Sequence, residues 1–160
     1  MKKKILLSLL ALLVIIQFIR PSRNISPAIS ANDISNHHPV PANVQDILSR
    51  ACNDCHTNNT TYPWYTNIQP VGWWMQHHVN EGKRELNFSE FASYTPKRQH
   101  HKMEEVEEMV DRNNMPLDSY TWIHKNANLK PEEKTALLEW AGKIRNDIAT
   151  KNNIVPEKKK

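Results

Sequence analysis

Glycine is scarce in this sequence, with three residues in 160, whereas proline occurs ten times. Tight hairpin turns need glycine wherever the backbone adopts a positive φ, so this composition argues against a glycine-rich β-barrel. Prolines interrupt helices and stiffen the extended segments between them. Together with apolar residues at helical spacing, the composition predicts an all-α fold whose helices are joined by extended connectors.

The interior of the sequence also lacks any concentration of positive charge. The formal net charge is +4 and the pI is about 9.1, but the basic runs lie at the two ends, at residues 2–4 and 158–160. A nucleic-acid-binding surface needs a basic patch or stripe within the folded domain. We therefore expect no nucleic-acid partner.

Cysteine is nearly absent, and the two that occur, Cys52 and Cys55, are followed directly by His56. The spacing C-x-x-C-H is that of a covalent attachment site for c-type haem. Two thiols on one helical turn can each form a thioether with one of the porphyrin's two vinyl groups, and the next histidine can then bind the iron. A C-x-x-C pair can also be a redox dithiol or half of a zinc site, so these alternatives stay open.

The long apolar run of the sequence covers residues 5–19 and follows three lysines. As a helix it would span roughly 22 Å, which is less than the ~30 Å hydrocarbon core of a bilayer. Residues 1–20 are therefore predicted to be either a cleaved signal peptide or an uncleaved anchor, and Arg20 directly after the run favours the anchor. The positive-inside rule then leaves the lysines in the cytoplasm and the body of the chain on the periplasmic side.

The remaining sequence is divided into a linker, one domain and a tail. Residues 21–42 are rich in proline, serine and asparagine and are predicted to be a linker, and residues 150–160 a charged tail. Residues 43–149 are predicted to form a small haem-binding domain with helices at about 43–56, 71–82, 96–112 and 131–149. Gly82 is expected to end the second helix, and Thr95 to cap the third. His100 and His101, on the third helix, are expected to be exposed.

A Met-Pro pair, Met115-Pro116, stands near the end of this domain, in a stretch predicted to be non-helical. With the C-x-x-C-H motif, it resembles the layout of class I cytochromes c, in which the thioether sulfur of a Met-Pro loop is the sixth iron ligand. The match is closer to a bacterial family of small exported haem-binding domain proteins, frequent in Bacteroidota. The residues that carry this resemblance are His56-Thr57-Asn58, Tyr62-Pro63-Trp64-Tyr65, Leu86-Asn87-Phe88-Ser89, Tyr120, His124, Leu129 and Trp140.

The resemblance implies covalent haem c, with His56 as the proximal ligand and Met115 as the favoured distal one. His78 or its neighbour His77 is the alternative distal ligand, and because adjacent helix positions point about 100° apart, at most one of them faces inward. His124 and an open iron are further alternatives.

Three other side chains are candidates for the surroundings of the haem. Arg84 could pair with a propionate, because a guanidinium matches a carboxylate fork. Trp64 and Trp73 could pack on the porphyrin and exclude water from it.

The predicted function is that of a periplasmic, membrane-tethered monohaem c-type cytochrome domain that passes single electrons to redox partner proteins or senses redox state. An electron carrier needs no acid–base pair or nucleophile, and the sequence offers none, so an enzyme is not expected. Two alternatives remain. One is a haem enzyme with an open distal site, peroxidase-like or gas-binding, and the other is a non-haem zinc or dithiol protein.

Overall fold

The computed structural model describes residues 1–155, and the regular structure of that part of the chain is entirely helical. The all-α prediction is therefore confirmed. The α-helices are α1 (Lys2–Ile16), α2 (Ile34–His37), α3 (Ala42–Ala51), α4 (Asn53–His56), α5 (Val71–Glu85), α6 (Pro96–Asp111), α7 (Asp118–Thr121) and α8 (Pro131–Asn152). Short 3₁₀ turns lie at Trp64–Asn67, Phe88–Ser93 and Lys125–Ala127. Within residues 1–155, no helix combines the length and the apolar character needed to cross a membrane.

The core forms where α6 packs along α8 and α3 packs across α8. The buried residues of α8 are Leu137, Trp140, Ala141, Ile144 and Ile148, which recur at the three- to four-residue spacing of one helix face. Met103 and Phe91 are fully buried beside them. One partly exposed ion pair, between Glu107 of α6 and Arg145 of α8 at 2.7 Å, also links these two helices.

The start of α6 follows the predicted pattern, but the exposure of one of its histidines does not. The Thr95 side chain accepts a hydrogen bond from the Arg98 amide, and Pro96 occupies the first helical turn. His101 is exposed as expected, whereas His100 is buried with 8% exposure, so its predicted exposure is wrong. His100 lies one turn before the buried Met103, and residues three apart share a helix face.

Two predicted helix boundaries near the cysteines are also wrong. The helix predicted over 43–56 is broken at Cys52, whose φ and ψ of −128° and −44° separate α3 from α4. Gly82 does not end its helix, because α5 continues to Glu85. Its role is to allow close packing: an added Cβ would lie 2.6 Å from the Cys55 carbonyl oxygen. At the other end of the chain, α8 extends a few residues past the predicted end at 149.

Residues 21–42 make specific contacts with the domain that their composition did not predict. The Asn24 side-chain amide donates to the Thr57 carbonyl at 2.8 Å, and the Asn24 backbone amide donates to the Tyr62 hydroxyl at 2.7 Å. Ile34 is buried in the core with 3% exposure. This segment is therefore packed along the domain surface over much of its length.

Candidate functional site

The two cysteines and His56 lie around one cavity because the chain turns sharply between α3 and α4. Cys52 is the residue at the break, and Cys55 and His56 belong to the single turn of α4. Both cysteines are free thiols and line the cavity together with His56. Burial raises the pKa of Cys52 to about 12 and that of Cys55 to about 11. Redox-active C-x-x-C pairs have a lowered thiol pKa instead, so the dithiol alternative is not supported.

The imidazole of His56 is held in a defined orientation by the end of α5. Its Nδ1 lies 2.9 Å from the carbonyl oxygen of Leu86, which can only accept a hydrogen bond. Nδ1 therefore carries the proton, and Nε2 keeps a lone pair for a metal. The Phe88 ring packs edge-on against the His56 ring at 6.3 Å and, on its other side, against the core residue Trp140 at 6.2 Å. Burial lowers the pKa of His56, so the neutral form needed for iron ligation is favoured.

The residues that follow Leu86 hold the segment after His56 in place. The Asn87 side-chain amide donates to the Asn58 side-chain oxygen at 2.8 Å. The Asn58 backbone amide donates to the Ser89 hydroxyl at 3.2 Å. The run Leu86-Asn87-Phe88-Ser89 thus contacts residues 56–58 through a carbonyl, an amide, a ring and a hydroxyl. These contacts give the run a physical role that its sequence pattern did not reveal.

Asp54, between the two cysteines, is bound from two directions. One carboxylate oxygen accepts the Thr61 backbone amide at 2.9 Å, and the other accepts the Tyr120 hydroxyl at 2.8 Å. Tyr120 also lines the cavity, and burial, followed by the nearby Asp54 charge, raises its pKa. Tyr120 therefore stays a neutral donor that links α7 to the cysteine turn. The sequence pattern included Tyr120 but gave it no role.

The rest of the cavity lining comes from the segment after α6 and from one face of α5. Met115, Pro116 and Leu117 line it from the non-helical stretch between α6 and α7. His78, Glu81, Gly82 and Glu85 line it from α5, and their spacing of three to four residues puts them on one face of that helix. This periodicity was the signal available in the sequence for the two glutamates. The structure thus places Met115 and His78 at the same cavity as His56.

His78 rather than His77 is the member of the histidine pair that lines the cavity. Its Nδ1 donates to the Trp74 carbonyl at 2.9 Å, which again leaves Nε2 with a free lone pair. His77 is exposed. His124 is not among the cavity residues; its Nε2 lies 3.0 Å from the Tyr65 hydroxyl, and its ring stacks on Tyr120.

The structure does not bring the three predicted neighbours of the haem to this cavity. Trp64 is 75% exposed on its 3₁₀ turn. The Trp73 indole donates to the Ile19 carbonyl at 2.7 Å, next to the end of α1. Arg84 is exposed and pairs with Glu81 and Glu85, so it contacts residues of the cavity wall without lining the cavity itself. These three predictions came from residue type alone, and the 3₁₀ turn of Trp64 and the helix α5 of the other two point the side chains elsewhere.

The donors present suit an iron porphyrin better than a bare metal ion. Two thiols and an imidazole with a free Nε2 line one cavity together with a thioether and a second imidazole. The enclosed volume, about 140 Å³, is below the roughly 300–1,000 Å³ of typical ligand pockets, so only part of a porphyrin fits between the walls as they stand. Among residues 1–155, no group of three or more His, Cys, Asp or Glu side chains could hold a metal ion. A zinc site therefore lacks a full ligand set there.

Fold and site together define an all-helical domain built around a cavity with the donor set of a haem protein. The model of a haem-binding domain family matches residues 11–143 of the chain. The chain therefore belongs to this haem-binding domain family. Comparison with curated proteins and with solved structures gives no significant match.

Proposed function

We propose that this chain is a monohaem c-type cytochrome domain, tethered by its N-terminal helix to the periplasmic side of a bacterial cytoplasmic membrane. Cys52 and Cys55 would hold its haem covalently, and His56 and Met115 would be the ligands of the iron. The group supplies a one-electron couple, which suits transfer of single electrons to redox partner proteins or the sensing of redox state. Histidine–methionine ligation raises the potential of such a couple.

The observation that carries the proposal is that Cys52, Cys55 and an oriented His56 share one cavity with Met115. The chain's own contribution is positional. Leu86 and Phe88 fix the His56 ring, Asp54 and Tyr120 fix the turn between the thiols, and the stretch after α6 brings the thioether to the same cavity.

Covalent attachment is tested by expressing the full chain in a strain that matures c-type haem and staining a denaturing gel for haem. We expect a stained band at the mass of the chain, because thioethers survive denaturation. Replacing both cysteines by alanine should abolish the stain while leaving the protein detectable by antibody. An unstained wild-type band from a maturation-competent strain contradicts the proposal.

The distal ligand is tested by optical and EPR spectra of the ferric protein. Met115→Ala should convert a low-spin haem to high spin, because the thioether ligand is removed. Met109→Ala is the matched control, since Met109 is 39% exposed on α6 and does not line the cavity. If Met115→Ala stays low spin and His78→Ala turns high spin, the sixth ligand is His78.

An enzyme with an open distal position is the alternative function. It predicts a high-spin ferric wild-type protein at neutral pH, whose spectrum changes when peroxide or a diatomic gas is added. The electron-transfer proposal predicts a low-spin wild-type protein whose spectrum does not change when peroxide or a diatomic gas is added.

A further inference from the structure

Four large apolar side chains are exposed around the start of α5, in the segment that follows the cysteine motif. Trp64, Ile68, Val71 and Trp74 are 75%, 48%, 38% and 48% exposed, respectively. We refer to these four residues as the tryptophan patch. They belong to one compact turn: the Ile68 amide donates to the Tyr65 carbonyl, and the Gly72 amide donates to the Ile68 carbonyl. Soluble surfaces carry single apolar residues routinely, but a cluster of this kind marks an interaction site.

The chain leaves the apolar helix α1 directly beside this patch. The Gln17 side-chain amide donates to the Gln69 carbonyl at 3.1 Å, and its oxygen accepts the Gln69 amide at 2.9 Å. Two residues further on, the Ile19 carbonyl accepts the Trp73 indole at 2.7 Å. The end of α1 is therefore hydrogen-bonded directly to the turn that carries the patch, without a free linker between them.

The apolar surface of helix α1 is not buried by any other part of the described chain. Its residues Lys2–Ile15 are all exposed, and from Ile5 onward all but Ser8 are apolar. If α1 is embedded in a bilayer, the hydrogen bonds of Gln17 place the tryptophan patch at the same boundary. The headgroup regions add only roughly 5–8 Å to each side of the hydrocarbon core, so a patch joined to the end of α1 lies within that layer.

The charges around the patch suit an anionic lipid surface. Residues 1–32 and 55–80 contain no Asp or Glu, although the whole chain has 17. Arg20 and Arg23 follow α1 and line a small cavity of about 60 Å³ on this side of α5. The Arg23 guanidinium is oriented by the Asn67 side chain at 2.6 Å. Tryptophan side chains favour the membrane–water interface, where the ring is buried and the N–H stays hydrated.

We propose that the tryptophan patch, flanked by Arg20 and Arg23, lies in the headgroup layer of an anionic phospholipid bilayer. The domain then rests on the membrane in one fixed orientation instead of moving on a free linker. This inference rests on the membrane tether proposed above, but it does not rest on the haem.

The test uses the full chain with 5-fluorotryptophan in nanodiscs of phosphatidylcholine and phosphatidylglycerol, and discs without nitroxide give the reference intensities. A fraction of the lipids carries a nitroxide on the headgroup, and ¹⁹F NMR records the loss of each tryptophan signal. Trp64→Phe and Trp74→Phe assign their signals, and both positions are exposed enough to tolerate the change. The internal control is Trp140, which is 5% exposed in the core.

We expect the Trp64 and Trp74 signals to lose most of their intensity while the Trp140 signal is retained, with a smaller loss in discs without phosphatidylglycerol. If the Trp64 and Trp74 signals are unchanged while the chain is still bound to the discs, the proposal is overturned. The patch would then be a binding surface for a protein partner. Recovery from cells of a chain cleaved between α1 and the domain also overturns it. Haem staining of the same sample is read separately, so loss of haem and loss of lipid contact are distinguished.

Discussion

Gly82→Ala is the sharpest test of how the cysteine motif is held. An added Cβ at this position would lie 2.6 Å from the Cys55 carbonyl oxygen and 2.9 Å from the Cys55 Cβ, both of them atoms that cannot rotate away. Overpacking of this kind costs about 1–3 kcal/mol. Alanine is favoured over glycine inside a helix by about 1 kcal/mol, so the net loss of stability is up to about 2 kcal/mol.

That loss corresponds to a fall in Tm of up to about 8 °C at roughly 2–4 °C per kcal/mol for a chain of this size. The assay is thermal unfolding of the holoprotein by circular dichroism, with the yield of covalent haem measured on the same preparation. We expect both to fall, because relief of the contact has to move α4 and hence Cys55 and His56.

Gly142→Ala is the matched control, since it places a similar contact in another helix. There the nearest atom, at 2.8 Å, is a carboxylate oxygen of Glu107, which lies at the end of a side chain that can shift. We expect a change of less than about 1 kcal/mol, because the gain in helix propensity offsets the disturbed ion pair. If Gly82→Ala is as stable as Gly142→Ala and carries a full complement of haem, the proposed close packing of α5 on α4 is wrong.

Two further substitutions test the surroundings of the site and of the core. Tyr120→Phe removes the hydroxyl that donates to the Asp54 carboxylate at 2.8 Å. Hydrogen bonds to charged groups contribute about 1.5–3 kcal/mol, so the free energy of unfolding measured in urea should fall by an amount near the lower limit. An unchanged free energy of unfolding would mean that water replaces this bond. Burial lowers the pKa of His38 below 6.5, its ordinary value. Protonation of His38 therefore favours the unfolded chain, in which the pKa is higher. The stability that the neutral imidazole allows above about pH 6.5 is lost as the pH falls. His38→Gln should therefore lose less stability than the wild type between about pH 7 and pH 5, and equal losses would contradict this assignment.

The helices of the core were predictable because their signals are local. The cap and first turn of α6 and the apolar face of α8 depend on residues within one or two turns of each other, and Thr95 caps α6 as predicted. The break at Cys52 was not predictable in this way. It is imposed by the crossing of α4 and α5, and no signal within residues 43–56 marks it.

The predicted ligands and neighbours of the haem differ in where the structure places them, for the same reason. Met115 and His78 lie at the cavity with His56, whereas Trp73 donates to the Ile19 carbonyl near the end of α1 and Trp64 is exposed on its 3₁₀ turn. A tryptophan can cover a porphyrin or a lipid surface equally well, because both are large and apolar. Only the direction in which the 3₁₀ turn or α5 presents each ring decides between them.

By itself, the sequence determined the helical class and the two thiols and imidazole that define the chemistry, because spacing within one turn is a property of the chain. The tertiary structure decided that the Leu86 carbonyl orients His56 and that Gly82 packs closely on Cys55. It also decided that residues 17–38 contact the domain. Those outcomes depend on contacts between segments 27 or more residues apart, such as Cys55 with Gly82, His56 with Leu86 and Gln17 with Gln69. No local pattern encodes such contacts; they follow from how the helices fill one shared core.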